Sequence, residues 1–511
     1  MREFWSSRPF FRKVTLVAAT LLCLFHIYTA IFGTFEALRQ RSIHLGLGLI
    51  IVYLLYGSKT REDGTRSPKW QDWLLLSLAT ASIVYVQVAY EWLTVERFTF
   101  ISPVFWYEKF FAVSLIVTVL IGCGRVVSKG LLYSVIGFLA YPFFGPYLPG
   151  PVHAAPIGIN DLLDFYYLSL GGIFGIPLGV SSTEIALFII FGYVVLRTGG
   201  TFLINNIASA VAWRLTGGAA KIAIVGSSLF GCITGSTSGN VAAVGSVTIP
   251  LMKKAGYRPV FAAAVEAAAS CGGQMVPPVM GAAAFVMAGF SGIPYSKLMG
   301  YALFPGILYY FSLFSAVHLE AKRFKLAPIR PDMSVRDSLL DYGHMLIPVG
   351  ILIYLLVAGY TPRLAGGYGI VTALIASQLR KKTRLTLTQI LSAFEDGAKG
   401  ILIVMISTAS AGLIVGTVEV TGFGQRISSA FVNITGGNLF LGLVTGAVIA
   451  FLLGLGMPTT PSYILLASTV IPALISLGLA NYAAHLFAFY YACLALITPP
   501  DATAAFTAAA I

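Results

Sequence analysis

The chain has 511 residues, of which 57% are hydrophobic and only 10% are charged, and its formal net charge is +13. Such a composition excludes an ordinary water-soluble protein. The Lys and Arg residues lie in short connectors rather than on one face, which excludes a nucleic-acid surface and favours orientation in a membrane. We therefore expect an all-α integral membrane protein, a bundle of many spans.

Five apolar stretches predict the first crossings, which start from a basic, cytoplasmic N-terminus. They are residues 14–32, 43–57, 73–89, 110–122 and 131–144. This order leaves the Lys- and Arg-rich connectors in the cytoplasm, as the positive-inside rule requires. Residues 142–160 hold no Lys or Arg and many Pro and Gly, which predicts an outer loop at the boundary between two membrane domains.

The next crossing, 184–196, is followed by an interrupted segment. Residues 222–233 and 241–252 are apolar arms of twelve residues each, whereas a span needs roughly twenty. The polar sequence 235–240 separates the arms, and Lys residues flank both ends. We therefore predict a re-entrant helical hairpin that enters the bilayer from the cytoplasm and turns back.

Further crossings lead to a second interrupted segment. They are residues 260–289, 298–317, 346–358, 364–378 and 401–418. The second pair of arms, 439–453 and 462–477, follows the last basic residue, Arg426, and should enter from outside. Five crossings between the hairpins reverse the direction of the second, so the two copies form an inverted repeat, 222–289 and 439–511.

The two copies also match residue by residue at one offset. Thr237 corresponds to Thr459, and Pro277-Pro278 corresponds to Pro499-Pro500, 222 positions later. Single prolines and small residues often serve helix packing alone. Helix packing alone would not require the same spacing of residues and the same Pro-Pro step to occur twice in the chain. The repeat therefore indicates the central site of a transporter, with two discontinuous helices.

The residues at the hairpin tips and helix breaks carry the predicted chemistry. Hydroxyl and amide oxygens suit a hard cation, and they are supplied by Ser236, Thr237, Ser238, Asn240, Thr459, Thr460 and Ser462. Free N–H groups at the start of each second arm suit an anionic substrate. Two successive prolines should leave backbone carbonyls unpaired. We expect substrate contacts at Thr237, Gln274, Pro277, Pro278, Pro458 and Pro500.

Two carboxylates are candidates for proton coupling. Glu266 precedes the first break and Asp501 follows the second Pro-Pro, and an ionisable group inside a bilayer is functional by default. A structural hydrogen bond is the alternative for Glu266. The histidines His26, His44 and His485 are predicted to be isolated and structural. The sequence contains no nucleotide-binding loop or hydrolase motif, so we expect no enzyme.

The chain resembles the membrane component of a TRAP (tripartite ATP-independent periplasmic) transporter, specifically the fused permeases associated with TAXI-type binding proteins. The stretches that carry the resemblance are GGIFGIPLG (171–179), TIPLMKKAGY (248–257), VEAAASCGGQ (265–274), VPPVMGAAAF (276–285), HLEAK (318–322) and GLGMPTTP (454–461). The similarity extends over essentially the whole chain and is looser in the first 150 residues.

The resemblance implies an elevator-type mechanism in which residues 1–150 form a small-subunit-like scaffold and residues 151–511 form the transport permease. It implies symport of an organic acid with sodium, or alternatively protons, after delivery by a TAXI-type periplasmic binding protein. It places one sodium site at Ser236, Ser238, Asn240, Gly272 and Gly273, and a second at Thr459, Thr460, Thr498 and Pro499. The implied location is the bacterial inner membrane, in contact with lipid.

Two alternatives stay open. A self-sufficient sodium–carboxylate symporter would carry similar hairpins, but it has no reason to carry the N-terminal scaffold. A channel or scaffold would not need two opposed sites with unwound helices. The family's large subunit also continues past the second Pro-Pro, which supports the hypothesis that this chain is a C-terminally truncated fragment.

Overall fold

The computed structural model of the protein describes residues 10–57, 59–60, 66–326, 335–499 and 502–511. Within these residues the fold is helical, apart from one antiparallel ladder that pairs Lys59–Thr60 with Arg66–Ser67. Eight described helices are long and apolar enough to cross a membrane. The predicted class, a helical multi-span membrane protein, is therefore confirmed.

The helices are numbered in chain order. They are α1 (Phe10–Phe32), α2 (Ala37–Leu55), α3 (Trp70–Val88), α4 (Trp106–Val126), α5 (Lys129–Phe144), α6 (Ile159–Leu163), α7 (Ile176–Val180), α8 (Ala186–Arg197), α9 (Gly200–Ala212), α10 (Gly218–Thr234), α11 (Thr237–Asn240), α12 (Ser246–Lys254), α13 (Pro259–Gly272), α14 (Ala282–Ser291), α15 (Tyr295–Arg323), α16 (Val335–Tyr342), α17 (Leu346–Val357), α18 (Pro362–Ser377), α19 (Leu387–Thr421), α20 (Phe423–Ile434), α21 (Leu439–Gly454), α22 (Thr459–Ser476), α23 (Asn481–Leu494) and α24 (Thr503–Ala509).

Short π-helical and 3₁₀ turns adjoin several of these helices or lie between them. The π-helical turns are Trp92–Glu96, Asp164–Leu168, Ser181–Ile185 and Val241–Gly245. The 3₁₀ turns are Gly145–Tyr147, Gly150–Val152, Gly343–Met345 and Ala495–Ile497. Two π-helical turns, Ser181–Ile185 and Val241–Gly245, join helices directly, and such turns are frequent at functional sites.

The apolar helices differ in how much of their surface the protein covers. In α15 only 17% of the most apolar window is buried, whereas in α19 the corresponding share is 89%. An apolar helix with an uncovered surface needs lipid around it, and one that is covered belongs to the protein core. Most of the apolar surface of α15 is therefore left uncovered by the described residues, while α19 is a core helix.

The chain divides into two compact units. Unit 1 comprises residues 1–186, 289–292 and 394–492, and unit 2 comprises residues 187–288, 293–393 and 493–511. The boundary predicted at residue 150 falls inside unit 1, so it does not coincide with this division. The assignment of 1–150 as scaffold and 151–511 as transport permease stays a prediction.

Both predicted pairs of arms form as helix–break–helix segments. In unit 2, α10 is followed by α11, the π-helical turn Val241–Gly245 and α12, and α10 packs against α12. In unit 1, α21 packs against α22. Helix α22 has 18 residues and is apolar enough to cross a membrane, so its length alone does not require a re-entrant hairpin. Re-entry of either pair stays a prediction.

Both predicted helix breaks also lie where the Pro-Pro steps place them. Helix α13 ends at Gly272 and α14 begins at Ala282. Helix α23 and the 3₁₀ turn Ala495–Ile497 precede the second break, and α24 follows it. Two prolines in succession remove backbone donors, which is why neither helix continues through its Pro-Pro step.

Candidate transport site

The first tip, residues 235–240, begins where α10 ends in a left-handed glycine. Gly235 has φ +63°, and its N–H donates to Gly231 O at 2.8 Å. A left-handed residue at this position ends a helix, and glycine adopts it without strain. Ser236 then caps α11, because its hydroxyl oxygen accepts a bond from Gly239 N at 3.2 Å. The tip is thus a defined turn between two helices.

Two polar side chains of the first tip are buried, each with an oxygen that no described group satisfies. Asn240 is fully buried, and its Nδ2 donates to Ser227 O at 2.8 Å. Asn240 Oδ1 and Thr237 Oγ1 have no hydrogen-bond partner among the described residues. A buried polar atom without a partner costs roughly 1–3 kcal/mol, so such atoms call for an explanation such as an ion or ligand.

The first break lies directly against this tip because two glycines let the backbones touch. A Cβ at Gly273 would lie 2.6 Å from Gly231 Cα, and a Cβ at Gly231 would lie 2.8 Å from Asn240 Nδ2. Val279 N also donates to Cys232 O at 3.2 Å. The structure therefore brings Asn240 and the Gly272–Gly273 backbone together, as the predicted ion site requires.

The expectation that the first Pro-Pro step leaves its carbonyl unpaired is wrong. The Tyr295 hydroxyl of α15 donates within this break, to Pro278 O at 3.1 Å or to Val279 O. Gln274 is buried, and its backbone O accepts a bond from Gly281 N at 2.9 Å. A tyrosine on α15 and the backbone N–H of Gly281 thus serve carbonyls of this break, and spacing along the chain gives no sign of either.

Glu266 ties the arms of the first pair to α13. It is fully buried, and it accepts hydrogen bonds from the hydroxyls of Ser227 on α10, Thr248 on α12 (2.6 Å) and Ser270 on α13 (3.1 Å). A buried carboxyl group is tolerated when its oxygens are hydrogen-bonded. Because Ser227 O also binds Asn240, the carboxyl of Glu266 is linked to the first tip through one residue.

The two helix breaks meet at equivalent residues of the repeat. Cys271 Sγ donates to Cys493 O at 3.2 Å, and Cys493 Sγ donates to Gln274 Oε1 at 3.6 Å. These two cysteines are 222 positions apart, the offset of the repeat. Both breaks and the first tip therefore belong to unit 2, although the sequence alone gives only the correspondence and not the contact.

Thr498 in the second break is hydrogen-bonded within its own segment. The Thr498 hydroxyl donates to Leu494 O at 2.9 Å, and Thr498 O accepts a bond from Ala502 N at 3.2 Å. Pro499, a predicted sodium ligand, is exposed. Two further predicted residues, Pro500 and Asp501, lie outside the described residues, so their substrate and proton roles stay predictions.

The second tip, residues 455–458, belongs to unit 1. Pro458 precedes α22, whose first two residues, Thr459 and Thr460, are buried. Ser462 Oγ is also buried and has no hydrogen-bond partner within the described part of the chain. Helix α22 therefore starts with several buried hydroxyls at its positive dipole end, the combination predicted for an ion and an anionic substrate.

The structure corrects the prediction that the histidines are isolated. His26 Nε2 and His44 Nδ1 lie 2.9 Å apart, and His44 Nε2 lies 3.1 Å from Ser181 Oγ. In the second repeat, His485 Nδ1 lies 2.6 Å from Tyr463 Oη and so links α23 to α22. These pairs join helices that are distant in sequence, and no local pattern predicts them.

The predicted site residues thus fall into two groups. Asn240, Thr237, Gly272, Gly273 and Gln274 lie together in unit 2 around the first tip and first break. Within the same tip, Ser236 is exposed and Ser238 is half-buried, and Ser236 Oγ already serves as a helix cap. Thr459, Thr460 and Pro458 lie in unit 1. The sequence analysis missed Ser227, Thr248 and Ser270, since serine and threonine are common in membrane helices.

Comparisons with known proteins place these features in a family. The profile of the family described as "Tripartite ATP-independent periplasmic transporter, DctM component" matches residues 114–511. The uncharacterized protein YgiK of Salmonella typhimurium is 24% identical over 340 residues, which are 65% of this chain and 76% of that protein. The C4-dicarboxylate TRAP transporter large permease protein DctM of Pseudomonas aeruginosa is 25% identical over 334 residues, which are 64% and 76% of the two chains.

One solved structure has a similar fold. The YdaH transporter of Alcanivorax borkumensis, whose crystal structure was described as having an unusual topology, superimposes with a TM-score of 0.50. The match covers 74% of this chain and 89% of that chain at 17% sequence identity. At this identity the likeness concerns the fold alone.

Proposed function

The chain belongs to the DctM family of tripartite ATP-independent periplasmic transporters. On this basis we propose that it uses an ion gradient to take up an organic acid, which a TAXI-type binding protein delivers. Family membership makes it a multi-pass transporter permease and not an enzyme. Permeases of this family work with periplasmic solute-binding proteins. The type of binding protein, the substrate and the ion are our proposals.

The observation that carries the proposal is the pair of unsatisfied oxygens in the first tip. Asn240 Oδ1 and Thr237 Oγ1 are buried, and neither has a partner among the residues that the structure describes. Neutral amide and hydroxyl oxygens are ligands for a hard cation. The adjacent Gly272–Gly273 backbone adds carbonyl oxygens at the end of α13. Sodium, as transported ion, would satisfy these groups without a change of protonation.

An organic anion is the proposed substrate because of the second tip. Helix α22 begins at Thr459, so the positive end of its dipole lies at the second tip and favours a carboxylate there. The Pseudomonas relative is named for C4-dicarboxylates. The proposed contacts are Thr237, Gln274, Pro277, Pro278, Pro458 and Pro500.

Protons are the alternative coupling ion, and Glu266 would carry them together with Asp501. In the structure Glu266 accepts bonds from three hydroxyls and ties the first arms to α13, which supports a structural role beside sodium coupling. Under sodium coupling, Glu266→Gln keeps sodium-driven uptake. Loss of uptake driven by a pH gradient in this variant would assign the coupling to protons.

The proposed movement is an elevator in the bacterial inner membrane, with the N-terminus in the cytoplasm. The two re-entrant pairs and both discontinuous helices would move as a transport domain, and residues 1–150 would serve as the fixed scaffold. The inverted repeat supports this proposal, because repeats of opposite direction let one site open to either side of a membrane.

The test is uptake into proteoliposomes that contain the permease, with the cognate TAXI-type binding protein loaded with substrate outside. An inward sodium gradient should drive accumulation, whereas an equal potassium gradient should not. Asn240→Ala should raise the sodium concentration for half-maximal uptake about tenfold. This is the change expected when the loss of one buried ligand weakens the free energy of sodium binding by roughly 1.4 kcal/mol.

Ser246→Ala is the matched control, since Ser246 is exposed and its hydroxyl only donates to Ala243 O at 3.0 Å in the same segment. Equal sodium dependence in the Asn240 variant and this control would show that the first tip does not bind the ion. Robust uptake without a binding protein would instead identify a self-sufficient sodium–carboxylate symporter.

A further inference from the structure

The second tip is held by a residue pair at the start of α5 that no sequence motif singles out. The Ser128 hydroxyl donates to Gly456 O at 2.8 Å and accepts a bond from Leu131 N at 3.2 Å. A Cβ at Gly130 would lie only 2.3 Å from the same Gly456 O. All of these residues belong to unit 1. The Gly456 carbonyl thus needs both the hydroxyl of Ser128 and the missing side chain of Gly130.

Gly456 needs such a partner because it lies just after the end of a helix. Helix α21 ends at Gly454, and Gly456, with φ +76°, lies beyond its end in the left-handed region. Carbonyl groups at a helix end lack partners within the helix, and a hydrocarbon environment supplies none. Ser128 is the N-cap of α5, so this carbonyl also faces the positive end of a 16-residue helix.

The contact lies close to the predicted ion ligands of the second repeat. Gly456 is followed by the buried Met457 and by Pro458, and α22 begins at Thr459. Few backbone torsions separate the held carbonyl from the hydroxyls of Thr459 and Thr460. Fixing Gly456 O therefore fixes the position from which α22 starts.

We propose that Ser128 and Gly130 are positioning residues for the second ion site: in the conformation of this structure they keep it in register by holding the carbonyl of Gly456, and the contact is released when the transport domain moves along the scaffold. This inference rests on the proposed function, since it assigns an effect on ion-coupled transport. Ser128 acts through Gly456 and makes no contact of its own with the ion. Loss of the Ser128 hydroxyl removes none of the ligand side chains, but it lets the tip and the start of α22 occupy several positions, which weakens ion binding.

The first test compares Ser128→Ala with Ser128→Thr and Ser134→Ala in the uptake assay. Ser128→Ala should raise the sodium concentration for half-maximal uptake about fivefold, the effect expected from one hydrogen bond of ~1 kcal/mol. Ser128→Thr keeps the hydroxyl and should restore the wild-type value. Ser134 lies on the same helix and its hydroxyl donates to Gly130 O at 3.0 Å, so Ser134→Ala should leave the value unchanged.

The second test needs no transport. Met457→Cys places a thiol in the second tip, where Met457 is 2% exposed, and the five native cysteines are buried. The rate of labelling by a membrane-permeant maleimide should rise about fivefold when Ser128→Ala is added, because the tip opens more often. Gly130→Ala should raise it further, since the added methyl displaces Gly456 O.

The two tests separate the inference from the proposed function. Unchanged labelling and unchanged sodium dependence in Ser128→Ala, with normal sodium-driven uptake by the wild type, would overturn the positioning role. Wild-type uptake that does not depend on sodium would overturn the proposed coupling of transport to sodium. The labelling rates would still decide whether Ser128 and Gly130 hold the tip.

Discussion

Replacing Glu266 by leucine should destabilise the protein by about 3 kcal/mol, because it removes the common acceptor of three buried hydroxyls. A hydrogen bond to a charged acceptor contributes roughly 1.5–3 kcal/mol. Thr248 has an alternative acceptor in Val244 O at 3.1 Å, so its loss is small. The hydroxyls of Ser227 and Ser270 lose the Glu266 carboxyl as acceptor. Two hydrogen bonds at about 1.5 kcal/mol each give the expected loss of about 3 kcal/mol.

Glutamine at position 266 isolates the effect of charge from that of hydrogen bonding. Glu266→Gln retains one acceptor oxygen and nearly the same volume, so its cost should be about 1 kcal/mol, as for a neutral hydrogen bond. The measurement is reversible denaturant unfolding in detergent micelles, followed by tryptophan fluorescence, with the three proteins in the same buffer.

The control for this series is Glu320→Leu. Glu320 pairs with Arg258 at 3.0 Å, but the Arg258 side chain is 67% exposed, and such pairs contribute about 0–1 kcal/mol. If Glu266→Leu were no more destabilising than Glu320→Leu, the carboxyl of Glu266 would not hold the first pair of arms to α13, and the link from Glu266 through Ser227 to Asn240 would have no energetic basis.

Two further substitutions test the packing and the charges of the fold. Gly273→Ala places a methyl 2.6 Å from Gly231 Cα. Overpacking should destabilise the folded protein by about 2 kcal/mol in the same unfolding assay, and a neutral effect would mean that the two backbones do not touch. Arg97→Met leaves Asp164 buried without its 3.1 Å partner, both side chains being 2% exposed, and should cost about 3–5 kcal/mol. Lys382→Met, at a pair whose Lys side chain is 62% exposed, should cost under about 1 kcal/mol; equal losses in the two variants would contradict the difference in burial.

The arms and breaks could be predicted because their signals are local. Gly235 and the Pro-Pro step 277–278 interrupt apolar runs that would otherwise continue as helices. In the second copy Gly456 interrupts the arms, and the Pro-Pro step recurs 222 positions later. Backbone chemistry alone then fixes where a helix ends. The observed ends of α10, α13 and α21 follow from these residues.

The environment of the site could not be predicted in the same way. The Tyr295 hydroxyl donates to a carbonyl of the first break, either Pro278 O or Val279 O, and Glu266 accepts bonds from hydroxyls on three helices. Each contact depends on how helices pack, and a hydroxyl in an apolar helix gives no sign of its partner. The histidine pair His26–His44 illustrates the same limit, because the two residues are 18 positions apart on different helices.

The central claim, that the first tip binds sodium, is tested most directly by ligand-induced stabilisation of the purified permease. The apparent unfolding temperature is measured in sodium chloride and in choline chloride at equal ionic strength. A bound ion stabilises the folded state by about 2.7 kcal/mol when its concentration is 100 times its dissociation constant. Sodium should therefore raise the unfolding temperature of the wild type and of Ser246→Ala, and much less that of Asn240→Ala. An equal rise in all three proteins would contradict the account.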